Sequence, residues 1–153
     1  MPGPELAGPP LPEVPFSSVP EMVAARAAVD PARVVIRSRS PAGKWVDLSW
    51  GTLDARRRAV AGGFAALGVK RGDVVAFLSH NSAEMLVSEL AAQTLGAVVA
   101  PIFPGYSPEV LHHCVADTAA RVAVVGTAGQ QHQLSRERRL KEIFRRGDPF
   151  GNA

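Results

Sequence analysis

Three short runs of almost unbroken apolar residues constrain this chain more than any other feature. They are VVAFLS from Val74, AVVAPIF from Ala97 and RVAVVG from Arg121. A strand with one wet face alternates apolar and polar residues. A strand that is apolar at nearly every position is covered on both faces, which is the condition of a parallel sheet. Helical periodicity fills the gaps between the runs. Leu86, Val87, Leu90, Ala91 and Leu95 make one stripe, and Val110, Leu111, Cys114 and Val115 make a second. Strand, helix and strand in alternation, with short connections, predict a parallel sheet with right-handed crossovers.

Local signals place the ends of these elements. Asn81, with Glu84 three residues on, is read as the cap of the first crossover helix, and Gly96 ends it. Ser107 and Pro108 open the second. Upstream, RVVIRS and KWVDLS flank the turn RSPAG, a hairpin signal. Ser49 caps a helix from Trp50 to about Leu67, with Leu53, Val60, Phe64 and Leu67 on one face and Gly68 as its stop. Arg57 falls on that apolar face. Its stem is expected along apolar surface with its head in water. VPEMVAARAAVDP is a further helix, with Pro20 at its first position and Pro31 after its end. The stretch from Gln130 to Phe144 is amphipathic and is expected to be helical. The fold class is therefore α/β: a β-hairpin followed by a β-α-β-α-β parallel-sheet unit. Three regions are expected: a proline-rich lead over 1–17, a domain over 18–126, and a basic helical or frayed tail over 127–153.

Composition closes off several classes of function. Hydrophobic residues make up 46% and charged residues 20%, a globular rather than a disordered balance. No apolar run approaches the roughly 20 residues that span a bilayer, and no basic segment followed by an apolar core marks a secretory leader. Cys114 is the one cysteine, so neither an internal disulfide nor a cysteine-based metal site is possible. These features together point to the cytoplasm. From Ser135 to Arg146 there are six basic residues (Arg136, Arg138, Arg139, Lys141, Arg145, Arg146) against Glu137 and Glu142. Such a run suits a solvated face, or contact with an anionic membrane surface. Its single aromatic residue, Phe144, falls short of the interleaved aromatics that stack on nucleic-acid bases.

The order of the motifs carries a resemblance. GKWVDLSWGTLDARRRAVAGGFAALGVKRGDVVAFLSHNSAEM, followed by LAAQTLGAVVAPIFPGYSPEVLHHCVADTAARVAVV, resembles the N-terminal region of the adenylate-forming superfamily, and within it the fatty acid–CoA ligases, or acyl-CoA synthetases. The shared pieces are the tryptophan-bearing hairpin, Leu67-Gly68-Val69, the Gly72-Asp73 turn before a strand, Asn81 and Glu84 opening a helix, LGAVVAPI, and the Tyr106-Ser107-Pro108-Glu109 turn. They lie between about Ser18 and Gly126. The resemblance implies an incomplete N-terminal lobe of the acyl-CoA synthetase fold. It implies ATP, magnesium and coenzyme A as the cofactors of a complete enzyme, which joins AMP to a fatty acid and passes the acyl group to coenzyme A.

The groups that would perform this chemistry are not found. Family members hold phosphates on a Ser/Thr/Gly-rich loop with a lysine. Here the nearest candidates are GTAG, Gly126 to Gly129, and the pair Gly62-Gly63. GTAG has neither lysine nor GxGxxG spacing and reads as a strand-to-helix turn. Gly62-Gly63 reads as close helix packing. His80 and Asn81 lie where an open α/β sheet presents ligands, although capping and a surface hydrogen bond account for them equally. His112 and His113 are consecutive on a helix and do not form a metal pair. His132 lies in the polar tail, Cys114 reads as core, and Tyr106 as packing or the lining of an acyl channel. No catalytic, cofactor-binding or metal residue is therefore assigned, and no cofactor is expected for this chain alone. Two functions follow as expectations. One is a truncated fatty acid–CoA ligase, inactive by itself. The other is a non-catalytic module that pairs with a separately encoded remainder of the enzyme or with itself. The acyl chain length is not legible.

Overall fold

A computed structural model describes residues 13–40, 42–135, 140 and 142–145. The proline-rich segment to residue 12 and the basic residues Arg136, Arg138, Arg139, Lys141 and Arg146 lie outside the described residues. The elements run α1 (Val19–Val29), β1 (Val34–Arg39), β2 (Trp45–Ser49), α2 (Trp50–Ala66), β3 (Val74–Leu78), α3 (Ala83–Thr94), β4 (Val98–Pro101), α4 (Pro108–Thr118), β5 (Val122–Val125), α5 (Ala128–Leu134) and β6 (Glu142–Arg145).

β1 and β2 form an antiparallel hairpin with Ile36 opposite Leu48 and Arg39 opposite Trp45. The other four strands are parallel, in the order β4-β3-β5-β6. The α/β expectation, hairpin first and parallel sheet second, is what the structure shows. Alternate side chains of β3 serve opposite layers, as the twofold repeat of a strand requires. Val75 and Phe77 pack with Ala61 and Phe64 of α2 and Ala91 and Ala92 of α3. Ala76 and Leu78 pack with Leu111 and Val115 of α4 and Leu134 of α5. Phe77 and Leu78 are fully buried, each contributing about 1.5–3 kcal/mol relative to exposure. A third cluster, Val23, Leu48, Leu53, Val87 and Leu90, fastens the hairpin and α1 to α2 and α3.

Several details differ from the sequence reading. The stretch from Gln130 to Phe144 is not one helix: α5 stops at Leu134 and the chain returns as the strand β6. A segment of alternating character changes period once a neighbouring strand edge supplies hydrogen bonds, and β5 supplies that edge. The cap of α3 is Ser82, whose hydroxyl accepts from Met85 N–H at 3.1 Å, and not Asn81. Pro20 is the second helical residue, after the Ser18 cap. Ser107 occupies the cap position of α4 but makes no side-chain cap bond. Leu86 and Val110, expected inward, are 39% and 42% exposed. Gly62 has open space where a side chain would stand, so close packing does not explain it.

Arg57 departs furthest from its expectation, because its charged head is buried rather than in water. Its Nη2 and Nε donate to Asp54 Oδ1 at 2.6 and 3.1 Å, and its Nη1 donates to Thr94 Oγ1 at 2.7 Å. Both charged side chains are 7% exposed. Burial alone would raise the Asp54 carboxyl. The hydrogen bonds and charges of Arg57 and Arg58 outweigh it and hold the group below the usual carboxylate range. The pair ties α2 to the end of α3.

Candidate functional site at the carboxyl rim of the sheet

The carboxyl ends of β3, β4 and β5 share one rim. β3 continues into Ser79, His80, Asn81 and Ser82, β4 into Ile102 to Tyr106, and β5 into Gly126 and Thr127. Open α/β sheets bind ligands outside these ends, at the point where the strand order reverses. After β3 the chain places β4 on one side and β5 on the other, so the reversal falls between β3 and β5.

That point is closed by the protein's own atoms. Gly126 N–H donates to Leu78 O at 3.1 Å and to Gln130 Oε1 at 2.9 Å. A β-carbon on Gly126 would stand 2.7 Å from Ser79 Oγ, so the absence of a side chain lets β5 pass the corner. Ser79 Oγ donates to His80 O at 3.0 Å. Thr127 caps α5 by accepting from Gln130 N–H at 3.2 Å. GTAG is thus a strand-to-helix turn held by its own side chains.

Two open depressions flank the reversal. One, of about 600 Å³, lies between the end of β4 and α4 and is lined by Ser79, Asn81, Phe103, Tyr106, Cys114 and Thr118 among others. The second, of about 560 Å³, lies between the hairpin and α3, against Ile36, Ser38, Leu86 and Glu89. Asn81, Met85 and Pro101 line both. Both volumes fall in the range of small-molecule sites.

The chemistry offered there is mainly apolar. Phe103 and Tyr106 are exposed and meet edge to face, with centroids 5.4 Å apart at 74°. Thr118 Oγ1 donates to Cys114 O at 2.8 Å and serves its own helix. Cys114 is half buried and packs on the α4 layer. Glu89 is half buried, and that burial pushes its carboxyl up. Ser107 instead hydrogen-bonds the Glu109 carboxylate and lowers it. His113 lines the first depression, whereas His112 lies with its Nε2 3.3 Å from Gln133 O. His80 and His132 are exposed and line neither depression. No group of three His, Cys, Asp or Glu side chains suited to a metal occurs among the described residues. Asn81 and Tyr106, singled out in the sequence, do reach the concave rim. Glu89, Ser38 and Phe103 do so unforeseen, and only Phe103, at the end of the apolar run AVVAPIF, gave a sequence signal; that run was expected to be covered on both faces, but β4 is an edge strand with Val98 53% exposed.

The strand order and the helices on both faces define a doubly wound α/β fold. The family itself comes from comparison: the AMP-binding enzyme family matches residues 23–148, and the chain belongs to it. A long-chain-fatty-acid–CoA ligase of Drosophila melanogaster, heimdall, is 34% identical over 110 residues, covering 69% of this chain and 16% of that protein. The 4-coumarate–CoA ligase 5 of Oryza sativa subsp. japonica is 40% identical over 81 residues, covering 53% and 15%. Among solved structures, the N-terminal domain of FACL13 from Mycobacterium tuberculosis superposes with a TM-score of 0.74 at 23% identity, covering 85% of this chain and 34% of that one. The chain thus spans about one-sixth of the length of these curated relatives. No helix among the described residues is long and apolar enough to cross a membrane.

Proposed function

We propose that this chain forms the opening lobe of an ATP-dependent fatty acid–CoA ligase and is inactive by itself. The reaction has two steps. A fatty acid carboxylate attacks the α-phosphorus of ATP, releasing pyrophosphate and leaving acyl-AMP. The thiolate of coenzyme A then attacks the acyl carbon, and AMP departs. The family match over residues 23–148 carries this reading, and the ligase relatives support the acid and thiol classes. The lobe's part is to wall one side of the site with the apolar rim around Phe103 and Tyr106. Stabilising the transferring phosphoryl group needs aimed donors and cations, and among the described residues the two depressions are lined by neither a lysine nor an arginine. We place the protein in the cytoplasm.

A second reading rests on one observation. Val98, Phe103, Tyr106 and Val110 are between 42% and 64% exposed on and after the edge strand β4. Such a patch suits a protein contact, either with a separately encoded remainder of the enzyme or with a second copy. ATP–pyrophosphate exchange with fatty acids of several lengths and magnesium separates the readings. The ligase reading expects no exchange from the chain alone and exchange on mixing with a complementing polypeptide. Exchange by the chain alone refutes its inactivity. No exchange on mixing leaves the contact module.

A further inference from the structure

Another depression lies away from the rim and shares no lining residue with the two described there. It has a volume of about 430 Å³ and is lined by Arg26 of α1, Arg33 on the turn before β1, Val34, Val35, and Trp50 at the start of α2. The backbone fixes its frame. Trp50 N–H donates to Arg33 O at 3.0 Å, and Gly51 N–H to Pro31 O at 2.9 Å. Gly51 lets the turn come that close, since a β-carbon there would stand 3.0 Å from the Pro31 side chain. Thr52 N–H is given to Ser49 Oγ, so the first amides of α2 are spent on the protein itself. The side chains are not. Arg26 and Arg33 are exposed, and among the described residues neither guanidinium has an ion pair or a hydrogen bond. Trp50 is half-buried against the cluster around Leu53, and its Nε1–H donates to no described residue.

Two guanidiniums on one depression, with no carboxylate in its lining, repel each other, and an anion between them removes that cost. The guanidinium fork matches the oxygens of a phosphate, and two forks suit its double charge. The indole and the two valines add an apolar, partly aromatic wall beside the cations. We infer that this depression binds a small organic phosphate whose flat or apolar body lies against Trp50. Its volume falls in the range of small-molecule sites. The inference does not depend on the ligase reading, because the depression and the rim have no residue in common.

The test titrates the whole chain with phenyl phosphate, inorganic phosphate and phenol. A Trp45→Phe background leaves Trp50 as the sole indole. Phenyl phosphate is expected to change the Trp50 emission and to give a saturable calorimetric isotherm that salt weakens. Inorganic phosphate and phenol should each bind roughly tenfold more weakly or worse, since each offers half of the contact. Arg26→Gln and Arg33→Gln, at exposed sites without ion pairs, each lower the affinity for phenyl phosphate by about tenfold and leave the melting temperature unchanged. Arg56→Gln, exposed elsewhere on α2, does not lower it. Absence of saturation by phenyl phosphate overturns the proposal. So does binding of inorganic phosphate or phenol as tight as that of phenyl phosphate, or unchanged affinity in both arginine variants. An equal loss in Arg56→Gln overturns it too, because it would mark a general attraction to basic surface.

Discussion

Removing the Asp54 carboxylate strands the Arg57 guanidinium inside the α2–α3 contact. In the native chain that guanidinium has three hydrogen bonds, two of them to Asp54. In Asp54→Ala it keeps only Thr94 Oγ1, whose own hydroxyl proton is donated to Leu90 O at 2.7 Å. Leaving one member of a buried ion pair unmatched costs about 3–5 kcal/mol, a large share of the roughly 5–15 kcal/mol that holds a domain. With a urea slope of roughly 1.5 kcal/mol per molar, the unfolding midpoint falls by about 2–3 M. Replacing both members, Asp54→Ala with Arg57→Met, removes the stranded charge and should cost no more than about 1 kcal/mol. Urea unfolding of the two single variants and the double variant completes the cycle. A loss below about 1 kcal/mol in Asp54→Ala, or a double variant as damaged as the two singles added together, would refute the reasoning.

Other consequences are smaller. Ser82→Ala should lose about 1 kcal/mol of stability, because Met85 N–H loses its acceptor, while Asn81→Ala changes it little; equal losses in thermal melts would restore Asn81 as the cap. Gly62→Ala, in the exposed interior of α2 with nothing within 4 Å of the new carbon, should gain about 0.8–1 kcal/mol. Ala119→Gly should also stabilise, by about 0.5–1 kcal/mol, since Ala119 ends α4 at a φ of 52°; a lower melting temperature in either variant counts against the local account. Because the folded Asp54 carboxyl is held below its usual range, its contribution is complete above the unfolded value of about 3.9 and fades as pH falls through the folded one. The native chain should therefore lose stability more steeply below pH 4 than the Asp54→Ala/Arg57→Met variant in acid titrations followed by circular dichroism.

The parts of the fold that burial alone decides were legible. Val74–Leu78 and Val122–Val125 are apolar throughout because both faces of the sheet are covered, and no neighbour had to be known to see it. The parts that depend on a partner were not. β6 needs the free edge of β5 before its residues read as a strand. Arg57 reads as a surface cation until Asp54 and Thr94 are placed beside it. Two polar residues in a row, Asn81 and Ser82, each suit a cap, and only the backbone path selects Ser82. The rim was legible as a place, from Asn81 and Tyr106, but not as a shape. Ser38 reaches it from a hairpin far earlier in the chain, and Glu89 from the second turn of a helix, neither with a local signature.

The strand order also sets a timetable for synthesis. β3 is central, and it meets β4 across a single helix but receives β5 only after α3, β4 and α4 have been made. From the time β3 emerges until Val122 follows it, one long side of the most buried strand in the molecule has no partner. A ribosome that pauses between α4 and β5 holds the chain in that state, with backbone groups such as the Leu78 carbonyl, which Gly126 N–H later meets, open to any other nascent strand.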